Sequence, residues 1–189
     1  LIINKKNLGV AESRNIGIKH SKGQYFAFID ADDLWIKDKL SYQIKFMVKK
    51  NLIFSFTSYK QIDEDNKVIG KRIANSDPKY SQLIKSNYIG LSTVIFSKKI
   101  LKDFKFPNLK SQEDYALWLK LCRAGHKLSH IKKNLVLWRK TENSLSSNLL
   151  DKLINAFKIY YNLENYNLIF SIYCVLVLSY NKLKKTGLN

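Results

Sequence analysis

Three carboxylates, Asp30, Asp32 and Asp33, stand within four positions at the end of the apolar run "QYFAFID". Two carboxylates spaced D-x-D can hold a hard divalent cation, because Mg²⁺ takes one or two protein carboxylates together with phosphate oxygens and water. That chemistry would fasten a nucleoside diphosphate to the protein. Alternatively, Asp32 or Asp33 caps the helix that opens near Leu34. A motif this short leaves the two readings level. A second acidic pair, Glu113 and Asp114, opens "EDYALWLKL". Asp114 falls in the first turn of a predicted helix, on the face that carries Trp118 and Leu121. Partial burial there would raise its pKa and suit it to general-base work. Ser111 and Asp114 also have the spacing of a capping box, which is the better reading on spacing alone. Arg14, between Gly9 and Gly17, offers a planar fork for a phosphate or a base edge, and Arg139 at a strand end could neutralise a leaving group. In so basic a chain a lone arginine is more often a solvated surface group.

The elements that must hold these groups follow from periodicity. "LIIN" reads as a short strand, "VAESRNIGIKHSKG" as a helix closing near Gly23, and "QYFAFID" as a buried strand of aromatic and β-branched residues. Strand, helix and strand in that order predict a parallel βαβ unit, and ligands of open α/β sheets bind at the carboxyl ends of the strands, where Asp30 to Asp33 fall. From Trp35 to Lys50 the spacing of Leu40, Ile44, Phe46 and Met47 predicts a surface helix with lysines on its other face. "LIFSFTSYKQI" and "KVIGKRI" flank "DEDN" as two strands around a turn. A short helix at "DPKYSQLIKSN", a strand at "STVIFS", a helix at "SQEDYALWLKLCRAG" and one or two strands in "HKLSHIKKNLVLWRK" follow. Everything beyond Asn148 reads as helical.

The 189 residues suffice for one domain with a sizeable core, and 46% apolar with 25% charged residues exclude a disordered chain. Thirty-three basic against 15 acidic residues give a net charge of +18, which draws phosphate-bearing partners: nucleic acid, an anionic membrane or phosphorylated small molecules. Cys122 and Cys174 lie far apart, which fits a reducing compartment and excludes a zinc site built on sulfur. The chain opens inside an apolar stretch, without methionine or a secretory signal, and so reads as a piece of a longer chain. "LIFSIYCVLVLSY", residues 168–180, falls short of the roughly 20 residues that span a bilayer, which predicts a core or interfacial helix.

Four stretches in order, "NLGVAESRNIGIKHSKGQYFAFIDADDLWIKDKLSYQIKFM", "IGLSTVIFSKKIL", "EDYALWLKL" and "LVLWRKTENSLS", resemble the bacterial family 2 glycosyltransferases of the GT-A type. The resemblance implies an α/β fold with a mixed, Rossmann-like sheet flanked by helices. It implies a catalytic domain over residues 1–148 that lacks the family's first strands, followed by a helical segment over 149–189. In the family, D-x-D binds the ribose and a Mn²⁺ or Mg²⁺ on the donor diphosphate. Asp30 would then face the nucleoside, Asp32 would ligate the metal with Asp30 beside it, and Asp33 would cap a helix. The family's E-D pair makes Asp114 the catalytic base. Gly9, Arg14, Asn15 and Ala31 would join Asp30 around the nucleotide, although Ser13 stands where the family has alanine. Glu113, Trp118 and Arg139 would meet the acceptor or the diphosphate.

The implied function is inverting, metal-dependent transfer of a sugar from a nucleotide-sugar donor, UDP-linked, to a hydroxyl of a glycan or lipid-linked acceptor. The setting would be bacterial surface polysaccharide synthesis, in the cytoplasm or on the inner face of the plasma membrane. Two other classes fit the charge. A basic nucleic-acid-binding module is opposed by the spread of lysines along the chain and the absence of a known motif, so no nucleic acid is expected. A noncatalytic membrane-associated subunit would use residues 168–180 against an anionic leaflet.

Overall fold

The computed structural model describes residues 1–74, 76–141 and 149–186, with side chains through residue 184. In chain order the elements are α1 (Gly9–His20), β1 (Tyr25–Ala27), β2 (Leu34–Trp35), α2 (Lys39–Lys49), β3 (Phe54–Ile62), β4 (Val68–Arg72), α3 (Tyr80–Leu83), β5 (Ile95–Ser97), α4 (Glu113–Arg123), β6 (Ser129–Arg139), α5 (Leu149–Lys158) and α6 (Leu168–Thr186). Five strands form one sheet in the order β1-β5-β3-β6-β2, and β4 pairs with the far half of β3. β3 and β6 run parallel while the other pairs are antiparallel, so the sheet is mixed and flanked by helices, as expected.

The two-residue period of β3 decides what covers each face. Phe54 and Phe56 join the main apolar core, and the Phe54 ring lies 5.2 Å from that of Trp118 on α4. Ser55 points the other way, where its carbonyl and hydroxyl accept from Gln43 Nε2 of α2 at 3.2 and 3.0 Å. Helix α4 buries Tyr115 through Leu119 and Leu121, nearly all of its circumference, which is the pattern of a central helix. Rings of Phe26, Phe96 and Phe104 stack in sequence, and Phe104 meets Trp118 edge-on, so that aromatic contacts link β1 to α4.

Several expectations are corrected. "LIIN" forms no strand: Leu1, Ile2 and Ile3 are exposed, no strand among the described residues pairs with them, and the Asn4 side chain donates to the Ser13 hydroxyl at 2.9 Å. A strand exists only through a neighbour's hydrogen bonds. The parallel βαβ unit is therefore absent, and β1 pairs with β5 alone among the described residues. The second helix starts at Lys39 rather than Trp35, because Leu34 and Trp35 pair with Leu137 and Val136 as β2. Its buried face carries Lys39, Gln43 and Met47, and Leu40 is exposed. Burial pushes the Lys39 amine down to about 7, and its nitrogen sits 4.4 Å over the Trp35 ring. The capping box at Ser111 does not form either. The residue before α4 is Gln112, in the left-handed region at φ 63°, and the Ser111 hydroxyl instead accepts from Asn155 at 2.9 Å.

The C-terminal helices are sewn onto the sheet layers by buried tyrosines. Tyr115 donates to the Leu83 carbonyl at 2.9 Å and Tyr160 to that of Ile84 at 2.6 Å. The buried Glu164 carboxylate takes the Tyr80 hydroxyl and pairs with Arg123 at 3.4 Å. Among the described residues no helix is long and apolar enough to cross a membrane. The "TENSLS" stretch that carried part of the resemblance lies, beyond Thr141, outside the described residues.

Candidate active site

Chain from β1 to β2 crosses from one outer strand of the sheet to the other and turns on the way, with the Asp33 amide donating to the Asp30 carbonyl at 3.1 Å. Ser92, in the short turn Leu91–Thr93, holds it from below. Its hydroxyl accepts the Asp30 amide at 3.1 Å and its carbonyl accepts the Trp35 indole at 2.8 Å. Asp33 is buried, and its Oδ1 accepts the Arg139 amide at 2.9 Å. Asp33 is thus no helix cap: it joins the loop to the end of β6. Burial first, then the charges of Asp30 and Asp32, push its carboxyl up to about 6, against the Ser92 hydroxyl and the Arg139 amide.

Arg139 reinforces the same joint from its other end. Its guanidinium donates to the carbonyls of Asp32 (3.0 Å), Asp63 (2.7 Å) and Glu64 (3.2 Å) and to Asn66 Oδ1 (2.7 Å). It braces the carboxylate loop against the β3–β4 turn, with its donors engaged by the protein itself.

Helix α1 delivers the group that joins the two acidic motifs. Arg14 donates from one nitrogen to Asp30 Oδ1 at 2.6 Å and from another to Glu113 Oε1, spanning 99 residues of sequence. Asn15, next to it, grips the backbone of Phe106 with both ends of its amide, each at 3.0 Å. Gly9 opens the helix at φ +78°, a conformation that favours glycine, with open space where a Cβ would stand.

Asp114 follows directly on the buried Glu113 in the first turn of α4. Its Oδ1 accepts the amide of Tyr115 at 2.7 Å. Burial pushes its carboxyl up to about 7, and the neighbouring Glu113 charge adds to this, while the Tyr115 amide and Arg14 oppose it. A carboxylate poised near neutrality can take a proton at physiological pH.

Of the residues singled out in the sequence, the fold brings Asp30, Asp32, Asp33, Arg14, Glu113, Asp114 and Arg139 into one connected arrangement, with Asn15 supporting it. Ala31 is exposed on the turn. Trp118 is not there: fully buried in the core, it cannot meet an acceptor, and truncating so large a core side chain costs about 3–5 kcal/mol. Two residues went unnoticed. Ser92 positions the loop from within a stretch whose composition gives no sign of it. Tyr59, whose hydroxyl burial pushes up to about 12, lies in the field of both Asp114 and Asp33.

Five of the chain's 15 acidic residues thus gather against two arginines in a molecule of charge +18, an arrangement suited to a bound cation. Among the described residues no three His, Cys, Asp or Glu side chains form a complete metal cage. Mg²⁺ and Mn²⁺ bound through substrate phosphates need no such cage, and the hard oxygen donors suit them. The exposed Asp32 carboxylate accepts no hydrogen bond among the described residues, and Asp33 Oδ2 is buried without one. The residues present therefore fit the ion.

Known proteins resemble this chain in sequence and in fold. The family model described as glycosyl transferase family 2 matches residues 1–109. A glycosyltransferase assigned to teichuronic acid biosynthesis, TuaG of Bacillus subtilis, is 31% identical over 182 residues, covering 96% of this chain and 72% of TuaG. The UDP-Glc:alpha-D-GlcNAc-diphosphoundecaprenol beta-1,3-glucosyltransferase WfgD of Escherichia coli is 35% identical over 155 residues, 81% of this chain and 60% of WfgD. In structure, residues 1–349 of Staphylococcus aureus TarS in complex with UDP-GlcNAc superpose with a TM-score of 0.64 at 22% identity, over 85% of this chain and 48% of that one. The mannosyltransferase PcManGT of Pyrobaculum calidifontis, in complex with GDP-Man and Mn²⁺, gives 0.59 at 13% identity, over 88% and 47%. The fold is that of these GT-A enzymes, and the chain belongs to glycosyl transferase family 2.

Proposed function

We propose that this chain carries the reaction centre of an inverting glycosyltransferase that moves a sugar from a UDP-sugar to a hydroxyl of a glycan or lipid-linked acceptor. The observation that carries the reading is Arg14, whose single guanidinium ties Asp30 of the D-x-D loop to Glu113 beside Asp114. Donor-anchoring and proton-accepting carboxylates thereby share one end of the sheet. Asp114 accepts the proton of the acceptor hydroxyl as that oxygen attacks the anomeric carbon, and a single displacement inverts the centre. Asp30 faces the nucleoside, with Gly9 and Ala31 leaving room for it. Asp32, with Asp33 behind it, holds the Mn²⁺ or Mg²⁺, which when bound offsets charge on the departing diphosphate. Arg14 and Arg139 keep the loop in place, so their role is positioning. The TarS complexes with UDP and UDP-GlcNAc, PcManGT with Mn²⁺ and the lipid-linked acceptor in the name of WfgD support these choices.

Calorimetric titration with UDP, with and without Mn²⁺, tests the donor half. Binding is expected to need the metal and to disappear in Asp32→Ala. Metal-independent binding, or binding that survives the substitution, would refute the role of Asp32.

The same reading places the protein on the inner face of a membrane. Along α6 the residues Ile169, Tyr173, Leu176, Tyr180 and Leu183 are exposed, at spacings of four and three that keep them on one stripe. An anionic lipid surface complements a chain of charge +18, whereas a second copy would repel it. Sedimentation with vesicles containing anionic lipid should carry the protein down, and Leu176→Asp with Leu183→Asp should release it. Equal sedimentation of wild type and variant would remove the stripe from the account.

A further inference from the structure

The corner of α4 that carries Glu113 and Asp114 does not fix itself. The preceding residue, Gln112, stands at φ 63°, a conformation that an ordinary side chain keeps only when its surroundings impose it, and its side chain does not cap the helix. The C-terminal helices hold the corner instead, from both sides of the acidic pair. Asn155 of α5, only 5% exposed, donates to the Ser111 hydroxyl at 2.9 Å. One turn earlier, the Lys152 carbonyl accepts from the side-chain amide of Gln112 at 3.4 Å. Beyond the pair, the hydroxyls of Tyr115 and Tyr160 lie 2.7 Å apart, and Tyr160 stands in the π-helical turn Ile159–Leu163 that continues α5. Residues 111, 112 and 115 are thus gripped by residues 155, 152 and 160.

We propose that α5 is part of the reaction centre, and that Asn155 is a positioning residue which, through Ser111, aims the Asp114 carboxylate at the acceptor hydroxyl. The inference rests on the glycosyl-transfer reading of Asp114. The core fixes the axis of α4, which is buried around nearly its whole circumference, but a first turn without a cap frays unless something replaces that cap. The side-chain hydrogen bonds between α5 and residues 111 and 112 do so. Asn155 lies beside Ala156 on the buried face of α5, where packing alone asks for an apolar residue, so the specific contribution of its amide is the bond to Ser111. A displacement of about 1 Å at a reacting group can cost about 10²-fold in rate, so the grip matters more for turnover than for a helix already held by the core. The groups facing Asp114 are Glu113 beside it, Arg14 of α1 and Asp30 of the loop, with Tyr59 of β3 in its field. Asn155 is neutral, so changing it reaches the Asp114 carboxyl through burial and not through a lost charge.

Hydrogen exchange on the full chain reads the grip without any substrate. In Asn155→Ala the amides of Tyr115 and Ala116, bonded to Asp114 Oδ1 and the Gln112 carbonyl, should exchange about tenfold faster, while those of Asp30 and Asp33 keep their rates. Ser111→Ala removes the same bond from its less buried end and should do the same, with no further effect in the double variant. Ser111→Thr keeps the hydroxyl and should behave as wild type. Both alanine variants should lose about tenfold or more in kcat with the Kd for UDP and Mn²⁺ unchanged, a split that a general loss of structure does not give. Their Asp114 carboxyl, followed by carbon NMR, should titrate below the wild-type value of about 7, because a loosened corner admits water. Unchanged exchange in both variants overturns the proposal. So does faster exchange with kcat and the Asp114 titration unchanged, or a fall in kcat matched by lost UDP binding. A wild-type chain without turnover would count against the glycosyl-transfer reading instead, and exchange together with the carboxyl titration would still decide whether α5 positions Asp114.

Discussion

Asp114→Asn is expected to lower turnover in the intact enzyme by about 10²–10⁴-fold while the Kd for UDP with Mn²⁺ stays where it was. The amide has nearly the shape of the carboxyl and can still accept the Tyr115 amide through its oxygen, but it cannot take a proton. The wild-type pH profile should carry the same signature. With the carboxyl pushed up to about 7 by burial and by Glu113, kcat/KM should fall tenfold for each pH unit below that value and level off above it. The asparagine variant should lose this limb. Stability should move the opposite way. A carboxyl whose folded pKa lies above its ordinary 3.8 binds more protons folded than unfolded, so the protein loses stability as pH rises from about 4 to about 7. Asp114→Asn removes that loss and should melt higher than wild type at pH 8 and no higher near pH 4. Unchanged turnover, or a profile whose acid limb persists in the variant, would end the base assignment.

Arg14→Met should be the most destabilising single change at the site. The methionine keeps much of the packing against Phe106, 5.7 Å from the guanidinium carbon, but leaves Glu113, with 8% of its side chain exposed, without its cation. Breaking a buried pair by removing one partner costs about 3–5 kcal/mol, because the remaining charge stays out of water. Chemical denaturation should show this as a lowered midpoint. Arg14→Lys should recover little, since a single ammonium does not reproduce two separate donors aimed at two carboxylates. Arg14→Met combined with Glu113→Gln should recover most of the loss, and that non-additivity separates the ion pair from packing. The Asp114 carboxyl should move further up in Arg14→Met, because Arg14 now holds it down, shifting the acid limb of the pH profile to higher pH. A cost under about 1 kcal/mol would mean the bridge is a solvated surface pair.

The candidate site residues were legible because their types and spacing are local properties. "EDYALWLKL" announces a helix with acids in its first turn and stands as read, whereas the aromatic run before D-A-D-D forms a strand only over Tyr25–Ala27, with Ile29 exposed between it and the carboxylates. The hairpin around "DEDN" and the α-helical C-terminus were equally visible, since turn chemistry and the 3.6-residue period need no distant partner. What failed depended on neighbours. "LIIN" has strand composition yet no strand beside it. Lys39 is buried because Trp35 leaves the helix to pair with β6 and offers its ring. Trp118 shares a helical face with Asp114, but the sheet lies under that face one turn further along.

The arrangement of the candidate site was decided by the tertiary structure. Sequence alone determined that acids at two positions could work together; only the fold set Arg14 between them and turned Asp33 from a helix cap into a tie to Arg139. The physical reason is one of range. Propensity and periodicity act over a few residues, whereas a charge is positioned by whatever stands opposite it, and here that partner lies 16, 99 or 106 residues away.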